Sequence, residues 1–323
     1  MSIEEFAAKL NHWGAQKIPF LFFVDFEMQK PMAFALHEID EEKIVYDING
    51  RTNCRASVPQ IREIDFRKFP LSYEDYKKKY DQVLASLAYG DSYLTNLTIK
   101  TRIETRLSLR EIFLLSRAKY KLWYDNNFLV FSPETFVRIE NGKIFAYPMK
   151  GTIDASIPDA TERLLGDRKE MAEHVTIVDL LRNDLSGAAE NVRVTRFRYV
   201  DRIKTIDKDL LQVSSEITGD LRPESASHLG DILVKLLPAG SVSGAPKSKT
   251  LEIIRRAERE PRGYYTGVVG VFDGNVFDSG VMIRFLEYAQ GGLYYRSGGG
   301  ITVQSTAEKE YQEAIDKVYV PLN

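Results

Sequence analysis

At 323 residues, 44% hydrophobic and 28% charged, the chain has ordinary globular chemistry and enough apolar material for a sizeable core. Its 44 basic and 46 acidic residues leave a net charge of −2, which argues against the broad basic footprint of a nucleic-acid binder. A single cysteine, Cys54, excludes an internal disulfide and a cysteine-rich zinc site, and the four histidines lack metal-ligand spacing.

From the start of the chain, residues 2–13 read as a short helix; MSIEEFAAKL is acidic early and lacks the basic-then-apolar pattern of an export signal. Strand-like runs follow at 19–26, 32–39 and 43–47, rich in aromatic and β-branched residues and broken by turn residues. The most apolar stretch, 18–26, contains Asp25 and is far too short to span a bilayer, so a cytoplasmic protein without membrane segments is expected. Tyr76, Tyr80, Val83, Leu84 and Leu87 recur at helical spacing and predict a helix over 72–89, stopped by Gly90. Further strands are predicted at 94–103, 118–123, 128–131, 136–140 and 143–147, the last two joined by an Asn141-Gly142 turn. One long helix is predicted over about 160–182, then extended segments at 191–200 and 209–218. Helices near 226–237 and 247–258 flank a glycine-rich loop. A meander over 264–303 turns at Asp273-Gly274 and Gly291-Gly292. The last helix starts near Ser305, where Ser-Thr-Ala-Glu fits a capping box. Strands and single helices mix without strict βαβ alternation, which predicts α+β layers.

Glu170 and Glu173 lie three apart and share a helix face, roughly in line with Ile177, Leu180, Leu181 and Asp184. Glu310, Glu313 and Lys317 form a similar stripe near the other end of the chain. Carboxylates from two facing helices suit a hard cation such as Mg2+, which takes oxygen ligands and keeps several waters. The plain alternative is two solvated helix faces, with Glu313 and Lys317 as an i,i+4 surface pair.

The loop Pro238-Ala-Gly-Ser-Val-Ser-Gly-Ala-Pro-Lys247 can turn amides toward an anion, with Gly240 and Gly244 permitting the bend and a helix following. It fails the phosphate-loop pattern, because Ala245 and Pro246 fall where glycine and lysine are required, so a carboxylate fits it better. Gly298-Gly299-Gly300 is a second close-approach stretch. Arg284 interrupts the apolar run around Val281–Leu286, where a charge is normally ion-paired or faces a ligand. Lys150, in Pro-Met-Lys-Gly-Thr, is either a solvated turn lysine or, if a pocket depresses its pKa, a nucleophile or base. Glu134, in Ser-Pro-Glu-Thr-Phe, is a surface turn residue or a general acid whose pKa burial raises.

In order along the chain, GDSYLTNL (90–97), SPETF (132–136), PMKGT (148–152), KEMAEH…IVDLLRNDL (169–185), the loop 238–247, RGYYTGVVG (262–270), MIRFL (282–286), SGGGI (297–301) and EYQE…DK (310–317) resemble the segments of the chorismate-utilising enzymes. The resemblance runs from about residue 73 to 320. It implies two antiparallel-rich β-sheets packed face to face with helices outside, one chorismate-binding synthase domain over 1–323. The part before about residue 72 would be short, without the segment that carries a tryptophan pocket in longer members, so no such feedback site is expected.

The resemblance also implies site roles. Glu173 and Glu313 would bind Mg2+ directly, with Glu170 and Glu310 gripping its waters, and the ion would meet the ring carboxylate of chorismate. The enolpyruvyl carboxylate would meet Arg284, Tyr265 and backbone amides near Gly299 and Gly300, with Gly244 in the glycine loop and Lys317 adding charge.

Two positions separate the branches of the family. Members that add water at the ring carry a lysine base where this chain has Leu94, an aliphatic side chain that cannot deprotonate water. Anthranilate-forming members carry alanine where this chain has Lys150, and the aminodeoxychorismate-forming branch carries lysine. In that branch the lysine is implied to attack the ring and expel the 4-hydroxyl, assisted by an acid matching Glu134, before ammonia displaces it. The expectation is an aminodeoxychorismate synthase component I on the route to 4-aminobenzoate and folate. Anthranilate synthase component I and a non-catalytic chorismate-binding subunit are the alternatives. Nothing around Cys54 resembles a glutaminase nucleophile, so ammonia would come from a separate glutamine amidotransferase chain or from solution. Departures from the family pattern are Gln212 at a usual histidine and Ser243 at a usual threonine.

Overall fold

Alternation along one strand shows how the layers are built. In the computed structural model, which describes residues 1–59, 65–204 and 209–321, the strand Phe20–Val24 is buried along its whole length. Phe20, Phe22 and Val24 join one core, and Leu21 and Phe23 join another. Successive strand residues point to opposite faces, so a strand with apolar layers on both sides becomes an unbroken apolar run. Each of these side chains contributes roughly 1.5–3 kcal/mol by leaving water.

Phe20–Val24 belongs to a sheet that runs from Met149–Asp154 through Asp209–Asp220, Lys143–Ala146, Thr135–Glu140, Phe277–Val281 and Val268–Phe272 to Phe20–Val24 and Met32–Ala35, with Glu190–Lys204 paired alongside Asp209–Asp220. The second sheet centres on Leu94–Thr105, Gly292–Ile301, Phe285–Ala289, Phe128–Ser132 and Tyr120–Tyr124. Pairing within both is antiparallel, for example Phe22 opposite Gly270 and Gly299 opposite Leu97. Leu21, Phe23, Val269 and Val271 of the first sheet meet Tyr46, Leu122, Val130 and Phe285 of the second, which makes the core between the sheets.

Helices cover the outer faces. Ile3–Ala15, Arg168–Ser186 and Leu229–Leu236 close over the first sheet through Phe6, Leu10, Val178, Leu185 and Leu233. Tyr73–Tyr89, Lys247–Glu258 and Ala307–Asp316 close over the second through Tyr76, Tyr80, Ile253 and Ala314. The layered α+β sandwich expected from the sequence is therefore the observed fold. No helix among the described residues is long and apolar enough to cross a membrane.

Three local expectations need correction, and one helix was not foreseen. The single helix over 160–182 is two, Ala160–Gly166 and Arg168–Ser186, because the extended backbone of Asp167 ends the first and its carboxylate caps the second at the Glu170 amide. The capping box expected at Ser305 does not form: Thr306 is the N-cap without a side-chain bond, and the Ser305 hydroxyl instead donates to Glu310 at 2.8 Å. A true capping box pairs Ser108 with Glu111 and starts the unpredicted helix Leu109–Leu115. The run 32–39 stays extended only to Ala35 before a 3-10 turn, Leu36–Glu38.

Candidate active site

The two glutamate helices sit on different sheets, and a cavity of about 650 Å³ lies between them. Every site residue expected from the sequence lines it except Gly244: Glu134, Lys150, Glu170, Glu173, Tyr265, Arg284, Gly299, Gly300, Glu310, Glu313 and Lys317. Residues separated by up to 183 positions thus reach one space.

Gly244 has another task. Its φ is +135°, and a Cβ there would lie 1.9 Å from the Leu94 carbonyl oxygen. Only glycine permits that backbone and that approach, and it lets Gly244–Ala245 pair with the start of Leu94–Thr105. The glycine loop is thereby anchored behind the cavity wall, and Ser241 and Val242 are the loop residues that line the cavity.

Both expected direct metal ligands hold lysines. Lys150 Nζ is 2.7 Å from Glu173 Oε2, and Lys317 Nζ is 2.6 Å from Glu313 Oε1. The Glu313–Lys317 pair is the i,i+4 contact of the plain surface reading, yet it faces the cavity, where Lys317 also donates to the Gly298 carbonyl at 2.9 Å. The pKa of Lys150 falls on neither side of the choice the sequence leaves open. Burial pushes the ammonium down, but the hydrogen bond and charge of Glu173, with Glu170 and Glu313 behind it, outweigh burial and hold the pKa above the usual lysine value. The depressed lysine considered from the sequence is not the state of this lysine beside its glutamates.

The same influence on Lys150 shows that carboxylates from both helices act on one point. Among the described residues no three His, Cys, Asp or Glu side chains form a ready-made metal cluster. Magnesium needs only one or two direct carboxylates beside its waters, however, and the donor set is hard oxygen throughout. A cradle exists as well. A Cβ on Gly299 would come within 3.5 Å of Glu310 and 3.6 Å of both Glu313 and Lys317, so the glycine keeps space open over those groups. The residues fit a magnesium ion.

Arg284 lines the same cavity in a left-handed conformation, φ 55°, which non-glycine residues adopt at a cost. Its guanidinium lies 5.0 Å from the Tyr319 ring centre, and among the described residues no carboxylate stands within ion-pair distance. The structural ion pair considered from the sequence is absent there. A half-buried guanidinium with no ion-paired carboxylate is ready to receive an anion. Tyr265 is buried beside it, and burial, opposed by Arg262 and Arg284, pushes its pKa up to about 12, so it is a neutral hydrogen-bond donor. Glu134 is raised above the ordinary carboxylate range by burial, against the Ser241 hydrogen bond and the charges of Lys317 and Arg284.

Three lining residues escaped the sequence reading as participants. Arg296 is buried and ion-paired to Glu287 at 2.6 Å; its signal was a charge within the apolar alternation of Gly292–Ile301. Gln212, noted only as a departure, donates to Thr152 at 3.4 Å within the lining. Ser241 donates to Glu134 Oε1 at 2.5 Å, and its only signal was membership of the glycine loop.

A cleft with convergent carboxylates, an arginine free of ion pairs among the described residues and a half-buried acid suits an enzyme for a small anionic substrate. Residues 23–323 match the family of chorismate binding enzymes, and the chain belongs to that family. It is 49% identical to an uncharacterised PabA-like protein of Pasteurella multocida over the full length of both chains. It is 34% identical to aminodeoxychorismate synthase component 1 of Klebsiella aerogenes, over 77% of this chain and 57% of that one. It is 33% identical to anthranilate synthase component 1 of Archaeoglobus fulgidus, over 82% and 65%. The fold matches that of the menaquinone-specific isochorismate synthase of Escherichia coli with a TM-score of 0.72, over 98% of this chain and 81% of that one at 15% identity.

Proposed function

We propose that this chorismate-binding enzyme is an aminodeoxychorismate synthase component I, converting chorismate and ammonia to 4-amino-4-deoxychorismate and water. The observation that carries the reading is Lys150, an amine that lines the same cavity as the half-buried acid Glu134 and the glutamates of both helices.

In this reading Arg284, Tyr265 and the amides near Gly299 and Gly300 receive the enolpyruvyl carboxylate. Glu173 and Glu313, backed by Glu170 and Glu310, would hold Mg2+, which supplies positive charge for the ring carboxylate when bound. Lys150 leaves Glu173 and gives its ammonium proton to solvent, and the free amine attacks the ring, forming a carbon–nitrogen bond. The 4-hydroxyl departs with its bonding electrons and takes the proton of Glu134, leaving as water. Ammonia then forms the new C4–N bond, the Lys150–carbon bond breaks with its electrons returning to the amine, which takes a proton back from solvent, and the proton shed by the new ammonium restores Glu134. The aliphatic Leu94 supports amination over hydration, since it supplies no base for a water nucleophile. Ammonia would be delivered by a separate glutamine amidotransferase chain. The product would supply a pyruvate-releasing step to 4-aminobenzoate, and thence folate.

Incubation of the purified protein with chorismate, a magnesium salt and an ammonium salt tests this directly. Chromatography is expected to resolve aminodeoxychorismate, converted to 4-aminobenzoate when the downstream lyase is added. Anthranilate as the main product would sink the assignment and favour the branch of the Archaeoglobus fulgidus relative.

A further inference from the structure

Ser241 is the only side chain with a hydrogen bond to the Glu134 carboxyl among the described contacts, and the turn that carries it is held from several sides. It lies in the 3-10 turn Gly240–Val242. The Val242 carbonyl accepts from Arg262 Nη1 at 2.7 Å, and Arg262 is itself buried in a two-bond pair with Glu258. The next residue, Ser243, donates to the Ala239 carbonyl at 2.9 Å and accepts the Asn96 amide at 2.9 Å. On the other side, the Glu134 carbonyl accepts the Val281 amide at 3.0 Å, and the Glu134 amide donates to Ser132 at 3.1 Å. Neither partner of the 2.5 Å contact can drift without breaking buried bonds.

We infer that Ser241 is a positioning residue for the acid: its hydroxyl occupies Glu134 Oε1 and thereby keeps the transferable proton on Oε2. The inference rests on the reading of Glu134 as the group that protonates the departing hydroxyl. A protonated carboxyl has one oxygen that only accepts and one that carries the proton. A donor fixed on Oε1 makes that oxygen the acceptor, so the two protonation sites are no longer equivalent. Without Ser241 the proton is shared between both oxygens, and the carboxyl loses its fixed plane. General acid catalysis needs the proton within hydrogen-bond reach of the leaving atom, so this geometry bears on rate rather than on substrate affinity.

The electrostatics around Glu134 give the contact a second signature. The charged groups that act on it are Lys317, at the end of the helix Ala307–Asp316, and Arg284, which lines the same cavity. Behind it, Thr135 takes hydrogen bonds from Tyr120 and Lys119. Burial raises the carboxyl; the Ser241 bond, Lys317 and Arg284 lower it. An acid works only while protonated, so activity declines as pH rises through its pKa. Removal of Ser241 takes away a lowering influence, and the decline must move to higher pH even as the rate falls.

The test compares wild type, Ser241→Ala, Ser241→Thr and Glu134→Gln, each with magnesium, chorismate and ammonium. Ser241→Ala is expected to lower kcat about tenfold to a hundredfold with KM changed less than about threefold, a part of the range for general acids. Its alkaline limb should shift to higher pH by about half a unit or more. Ser241→Thr restores both. An infrared titration of the protonated carboxyl C=O band reads the same contact without turnover. The band should be missing in Glu134→Gln, and in Ser241→Ala it should lie at higher wavenumber and persist to higher pH than in wild type. If wild type makes no aminodeoxychorismate, the proposed function fails while the infrared series still decides the Ser241 contact. An alkaline limb and a C=O band both unmoved in Ser241→Ala overturn the inference.

Discussion

Lys150→Ala is expected to lower the rate of aminodeoxychorismate formation by at least about a thousandfold while chorismate still binds, because no other nucleophile replaces the amine. The structural cost is small. The Lys150 side chain is about one-third exposed, at 36%, so the ion pair with Glu173 is screened and worth about 1 kcal/mol or less to the fold. A melting temperature near that of wild type, with product formation lost, separates chemistry from folding. Lys150→Arg does not rescue, since a guanidinium keeps its proton at any working pH and cannot attack. Retention of full rate in Lys150→Ala would show that the covalent role is wrong.

Arg284→Leu is expected to weaken chorismate binding by about a hundredfold to a thousandfold, equivalent to about 3–4 kcal/mol. The variant is also expected to unfold no more easily than wild type. Arg284 is half-buried against Tyr319, and among the described residues no carboxylate stands within ion-pair distance, so its charge adds little to the stability of the free protein. Replacing this half-buried charge with an apolar group forfeits only its contact with Tyr319 and leaves the substrate carboxylate without its partner. Calorimetric titration with chorismate and a thermal melt, done together, check both halves. Normal affinity, or a large loss of stability, would make Arg284 a structural residue.

Much of the fold was legible because burial leaves a period. Tyr76, Tyr80, Val83 and Leu87 recur at helical spacing and form one buried face, and the helix ends at Gly90, which is left-handed at φ 94°. The turns at Asp273-Gly274 and Gly291-Gly292 fall where the meander reverses. What failed depended on a single side chain with two partners available. Asp167 could have continued a helix but caps the next one, and Ser305 could have capped but bonds Glu310. Helical spacing does not decide such choices, because the competing bonds are close in energy.

The site was legible through unusual residues in apolar or glycine-rich settings, Arg284 and Lys150 above all. Its failures lie elsewhere. Gly244 was assigned to substrate because glycines in a loop look like an anion cradle, whereas its approach to Leu94 is a requirement of strand pairing. Whether Lys150 is a solvated turn lysine or a pocket lysine with a depressed pKa stays open in the sequence, because no one-dimensional pattern reveals that Glu173, 23 positions away, meets its ammonium. Ser241 gave little signal because a serine in a loop is ordinary until its carboxylate partner, 107 positions away, is seen.

The central claim, that Lys150 does the chemistry, is tested most directly by mass spectrometry of the protein held with chorismate and magnesium but without ammonium. The account predicts a mass gain equal to chorismate less one water, on the peptide that carries Lys150, discharged when ammonium is added. A protein that aminates chorismate yet never carries that mass contradicts it.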